Sequence, residues 1–234
     1  MDTITADSRW QMLYKVGGVT TVASEIVLIL SIAVYPFWPY LPGHETTENI
    51  LLLLQDKPLA GLIGLDLLLV VGNILGIFLF LALYAALKPA NESVALIALA
   101  LGLAAAVWII PARPIMELFA ISDLYAGAAT EAAQSHYLAA AETLLALFDG
   151  TGWFMNTLFG GFSLLISSIL MLRSHVFSKA TAYVGIVTNT AVVLFFIPGI
   201  GLILLFLSLP GYMIWYVQLA RTFFRMGTAV DKQE

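Results

Sequence analysis

The chain has 234 residues, 61% hydrophobic and 11% charged, with a formal net charge of -5 and no cysteine. A soluble domain carries about a quarter charged residues, so this composition is that of a polytopic membrane protein. The acidic balance and the lack of any basic run argue against a nucleic-acid partner. The missing cysteines exclude disulfides, a thiol nucleophile and thiolate metal sites.

Met1 to Ser8 is short and polar and leads into an apolar run too long for a cleaved signal segment, so the run reads as a retained first span over about 11–35. Gly17, Thr21, Ser24 and Glu25 fall near one helical face of it, a buried stripe. Pro36, Pro39 and Pro42 end the span, and the following loop carries Trp38 and Tyr40, suited to an interface. In G-H-E-T-T-E-N-I-L-L-L-L, Thr46 or Thr47 is placed to cap a short surface helix. Span 2 covers about 58–87, with Asp66 and Asn73 on one face and Gly72 and Gly76 spaced for a close helix contact. Lys88-Pro89 closes it.

Span 3 covers about 93–121, and Pro111 and Pro114 predict a kink near Arg113. The alanine-rich stretch 128–148 reads as helical, but Glu131, Gln134, His136 and Glu142 make it a poor span. It is expected to lie on the outer surface and to end at Asp149-Gly150-Thr151-Gly152. Span 4 follows over 153–172 with Asn156 inward, span 5 over 179–197 with Asn189, and span 6 over 200–224. Pro210-Gly211 is expected to kink or interrupt the last span. The fold class is therefore an all-α bundle of six transmembrane helices, one domain over residues 1–234, with an extra non-spanning helix before span 4.

Six spans put both termini on one side. Arg9, Lys15, Lys88, Arg173, Lys179, Arg221, Arg225 and Lys232 share that side and Lys57 alone falls on the other, a bias that makes both termini cytoplasmic. Tyr14 and Trp10, and at the other end of the chain Tyr212, Trp215 and Tyr216, read as inner-interface aromatics.

Charges in lipid are expensive and normally pair or line a wet cavity. Arg113 is the one base at hydrocarbon depth, beside the acids Glu25, Asp66, Glu117 and Asp149. By rise per residue, Asp66 lies ~12 Å and Arg113 ~13 Å below the outer surface, with Glu25 near the midplane. Asn73, Asn156 and Asn189 continue a polar column to the centre. Arg113 and Glu117, spaced i, i+4, have the separation of a helical ion pair. That pair is either structural or leaves Asp66 and Glu25 for a proton or cation, while the Arg113 fork also suits an anionic group.

His44, Glu48 and His136 are the weak candidates for a metal, since H-E-x-x-E lacks the second histidine of the zincin pattern. They read more simply as solvated loop residues, so neither a metal nor a cofactor is expected. No nucleophile set for an intramembrane hydrolase accompanies the acids.

The opening R-W-Q-M-L-Y-K-V-G-G-V, a basic aromatic lead and paired glycines at the start of span 1, resembles a family of bacterial six-span integral membrane proteins without an assigned activity. The resemblance implies a bacterial inner membrane and carries no site residues. The functional expectation is a protein that binds or transports a small molecule, ion or lipid. Its polar pocket would lie in the outer half, built from Glu25, Asp66, Asn73, Arg113, Glu117, Asp149, Asn156 and Asn189. The alternatives are a structural or regulatory subunit whose buried charges set helix packing, and an enzyme using Asp66 or Glu25 as general base. Membrane lipids are the expected partners.

Overall fold

The computed structural model describes residues 8–34 and 45–230, and their secondary structure is entirely helical. A 3-10 turn at Ser8–Trp10 leads into α1 (Gln11–Val34). Then come α2 (Thr47–Asp56), α3 (Pro58–Gly64), α4 (Leu67–Leu87) and α5 (Glu92–Ile109). The rest of the chain forms α6 (Ile115–Ala126), α7 (Glu131–Leu145), α8 (Thr151–Met171), α9 (Lys179–Val193) and α10 (Gly201–Val230). Six helical stretches are long and apolar enough to cross a membrane. The protein is a multi-pass integral membrane protein.

Local sequence sets many of the boundaries. Thr46, Asn91, Thr130 and Ser178 each accept a hydrogen bond from the backbone N–H three residues on, at 3.0–3.2 Å, which occupies one of the free donors of a helix start. Gly150, extended at φ -87° and ψ -167°, separates the 3-10 turn Ala146–Asp149 from α8. The break falls there alone, because Gly152 lies inside α8.

Helices α1, α4, α5, α8, α9 and α10 each pack against the next, and α10 packs back on α1, so the six close a ring. Their outward faces are apolar, with Val19, Ile26, Ile74, Leu96, Val187 and Ile203 exposed, as a lipid-facing wall requires. At the end of the ring that bears the termini, the interior is filled by an apolar core including Tyr14, Leu83, Met171, Trp215 and Phe223. Over the opposite end sits a cap of α2, α3, α6, α7 and the 3-10 turn, closed around its own core of Leu51, Leu54, Leu118, Tyr125 and Phe148.

The structure corrects several expectations. Span 2 is not one helix: α3 stops at Gly64, and α4 starts after Asp66, which holds a left-handed φ of 63°. Few residues other than glycine adopt that conformation without strain, aspartate among them. Span 3 does not run to 121 with a kink. Pro111 and Pro114 break it outright, and α6 leaves the ring to join α2 and α7 in the cap. Pro210 does not interrupt the last span, since α10 stays helical through it.

The close helix approach is not at Gly72 and Gly76, where an added Cβ would meet nothing nearer than 3.7 Å. It lies at Gly17, whose added Cβ would overlap the Cβ of Ala82 where α1 crosses α4. Trp215 and Tyr14 are also not interface residues, for both are buried in the ring core. Trp38 and Tyr40, expected at an interface, the Pro36, Pro39 and Pro42 cluster and His44 lie outside the described residues.

Candidate functional site

Three of the junctions between ring and cap meet at one side chain. They are the left-handed turn before α4, the Pro111–Pro114 break after α5, and the 3-10 turn before α8. Arg113 is buried, and its Nε donates to Oδ2 of Asp66 at 2.9 Å. Its Nη1 donates to the carbonyls of Ala112 at 3.1 Å and Phe148 at 2.9 Å. Its guanidinium lies 4.7 Å from the Phe148 ring centre and 5.1 Å from that of Trp153. A charge with a counter-ion, two carbonyls and two aromatic faces is largely compensated, so Arg113 works as a clasp between cap and ring. Asp66 sits before the spanning helix. Burial pushes its carboxyl up, the Arg113 guanidinium pulls it back down, and the nearby negative charge of Asp149 adds to the rise.

The remaining expected site residues separate into distinct groups. Glu117 is exposed in the first turn of α6 and does not pair with Arg113, because the chain breaks before Ile115 and no i, i+4 geometry joins them. Asp149 is exposed at the end of the 3-10 turn and acts on Asp66 and Arg113 through space.

Asn156 Nδ2 donates to Asn73 Oδ1 at 2.7 Å and to the carbonyl of Ala105 at 2.9 Å, and Asn73 Nδ2 donates to the carbonyl of Leu69 at 2.9 Å. This ties α8 to α4 and α5. Asn189 accepts from Tyr212 at 2.8 Å and donates to the carbonyl of Gly185, also at 2.8 Å, which ties α9 to α10. These buried amides are satisfied and lock helix register.

Among the weak metal candidates, His44 lies outside the described residues. His136 is exposed on α7, and Glu48 accepts a 2.8 Å hydrogen bond from Tyr125. That bond holds the Tyr125 hydroxyl in its neutral form and raises its pKa. Among the described residues no group of three histidine or carboxylate side chains is arranged to hold a metal ion.

Glu25 stands differently. It is half-buried on α1, and its Oε2 has no hydrogen-bond partner. Among the described residues the other buried polar side-chain atoms without a partner are Ser24 Oγ, Trp215 Nε1 and Gln218 Oε1. All four lie on α1 and α10, but Trp215 Nε1 is turned toward α9, where it faces Gly185. The helices are antiparallel neighbours: Gln11 Nε2 donates to the carbonyl of Gly227 at 3.1 Å, and Cβ atoms added at Gly17 and Gly18 would meet the rings of Phe223 and Phe224 at 3.7 and 2.9 Å. That register, carried along α1, brings residues 24–25 level with 215–218. Tyr216 is within electrostatic reach of Glu25, as this register requires. Sequence reasoning found Glu25 and Ser24 through their shared helical stripe. It missed Gln218.

The fold and these interactions define a six-helix membrane ring with a clasped cap. The chain belongs to the family described as Domain of unknown function (DUF4386), whose model matches residues 12–220. No curated protein and no solved structure matches it.

Proposed function

We propose that the protein binds a small molecule, ion or lipid headgroup inside the membrane, in a transport-type role, at the band where α1 meets α10. The observation that carries this is that three unpartnered oxygens, Ser24 Oγ, Glu25 Oε2 and Gln218 Oε1, fall at one level of the two helices. In hydrocarbon an unsatisfied polar group costs several kcal/mol, so a band of unused donors and acceptors is a place for a polar guest. Elsewhere the buried asparagines and Arg113 are engaged, which assigns them to packing. The structural alternative thus describes the clasp and the ties, while binding describes the band.

Charge narrows the guest. Glu45, Glu48, Asp56, Glu117, Asp123, Glu131, Glu142 and Asp149 lie in the cap, against Lys57 and the clasped Arg113. Such a surface repels anions and concentrates cations, so a neutral or cationic guest suits the band. The lysine and arginine bias supports both termini inside and the cap outside, and the resemblance of the start of α1 to bacterial six-span proteins supports a bacterial cytoplasmic membrane.

A retained-mass measurement tests the reading. Wild type and a Ser24→Ala/Gln218→Leu variant are extracted into native-lipid discs and weighed by native mass spectrometry. Wild type should carry a bound species that the variant loses by roughly tenfold, as the loss of one or two hydrogen bonds implies. Identical bound species on both proteins would refute the band as the binding site.

A further inference from the structure

We propose that Glu25 is a reversible proton-binding site within the membrane, the position through which the α1–α10 band exchanges charge with water. The inference rests on the reading of that band as the binding site. It names the proton as the ion that site takes.

Glu25 lies 14 residues beyond the start of α1, ~21 Å along the helix and close to the middle of a bilayer core of about 30 Å. Among the described residues no base is paired with it there. The elements packed on α1 are α4 and α10. Helix α4 carries no titratable group before Tyr84, close to its terminal end. Helix α10 faces Glu25 with Tyr216 and holds Tyr212 one turn away, bonded to Asn189. Arg221 and Arg225 lie further along α10, exposed near the terminal end. On α1 the base is Lys15, ten residues earlier and ~15 Å away. The clasp holds Arg113 on Asp66. A carboxylate in that position has two ways to lose its charge: a cation or a proton.

The coordination chemistry selects the proton. A hard metal cation takes about six or more oxygen ligands. The band offers one carboxyl group, the Ser24 hydroxyl and the Gln218 amide oxygen, and the described residues hold no metal-binding group of carboxylates and histidines. A proton needs no cavity. It also turns Glu25 from an acceptor into a donor, at the level of two oxygens, Ser24 Oγ and Gln218 Oε1, that lack partners. Deprotonation reverses this, so the hydrogen-bonding character of the band changes with one proton.

The probe is dicyclohexylcarbodiimide, an apolar reagent that adds to a protonated carboxyl and rearranges to a stable N-acylurea. Applied to the full chain in lipid and read by intact mass, it should add one reagent mass to wild type. The yield should fall several-fold from pH 5 to pH 8 and should not respond to replacing choline chloride with sodium chloride. Glu25→Gln should abolish the adduct and Glu117→Gln should keep it. An adduct that survives Glu25→Gln, a wild-type chain that stays unlabelled, or labelling suppressed by sodium at fixed pH would each overturn the proposal. The Ser24→Ala/Gln218→Leu measurement leaves Glu25 in place. A failed label with a retained guest therefore refutes the proton site alone, and a lost guest dependence refutes the band.

Discussion

Arg113→Ala should destabilise the protein by about 3 kcal/mol, the lower end of the range for removing one member of a buried ion pair. The change takes from Asp66 its 2.9 Å partner and frees the carbonyls of Ala112 and Phe148. The lower end applies because the Asp66 side chain is 36% exposed, and water screens the carboxylate that remains. The loss should grow with pH. Burial already holds the folded carboxyl of Asp66 above its usual value, and Arg113 is what pulls it down. Without the guanidinium the folded value rises further above the unfolded one. A raised acid contributes its full stability below the unfolded value, about pH 4, and loses it as pH climbs through the folded value.

Thermal unfolding in detergent between pH 5 and 8 should therefore show Arg113→Ala weakening toward pH 8, with Arg113→Ala/Asp66→Asn nearly flat. Arg113→Lys should recover part of the loss, because a point charge cannot serve Asp66 and two carbonyls together. Glu117→Gln should stay within about 0.5 kcal/mol of wild type, as an exposed site does. Wild-type stability for Arg113→Ala at every pH would remove the clasp from the structure.

The second large effect is expected at Gly17→Leu. An added Cβ there overlaps Ala82, itself fully buried, and the rest of the side chain has the Phe223 ring before it. Overpacking a filled core costs about 1–3 kcal/mol; here it acts on the α1–α4 crossing, and a loss of monodisperse protein is the expected outcome. Gly76→Ala is the matched comparison, since its nearest neighbour would be 3.7 Å away in ordinary contact. If Gly17→Leu unfolds at the same temperature as Gly76→Ala, the two helices do not cross at that point.

The ring was readable because hydrophobic length and loop charge report on a membrane directly, and the cap at Thr46 is a local device. The break at Leu65–Asp66 was not. Gly64 stands at it, but as one of several glycines in span 2 it does not single the place out, and the partner of Asp66 is an arginine 47 residues away. The Arg113–Glu117 pairing failed for a related reason: i, i+4 spacing has meaning only on an unbroken helix, and the prolines that suggested a kink end the helix instead. Tyr14 and Trp215 misled because an aromatic belt and a buried aromatic core share one composition. Trp215 fills the ring beside Gly185, where only a glycine leaves it room. The unpartnered band joins Glu25 to Gln218, 193 residues on in the sequence, so only its α1 side was legible.

Six spans with the cap outside is the claim on which the clasp and the band both depend. The cysteine-free chain allows it to be tested with single cysteines and a membrane-impermeant maleimide on intact cells. Ala129→Cys and Thr143→Cys, both exposed on the cap, should label from outside, and Ser93→Cys and His175→Cys, exposed at the terminal end, should label only after the membrane is opened. Labelling of position 93 or 175 from outside, or protection of both cap positions, would contradict it.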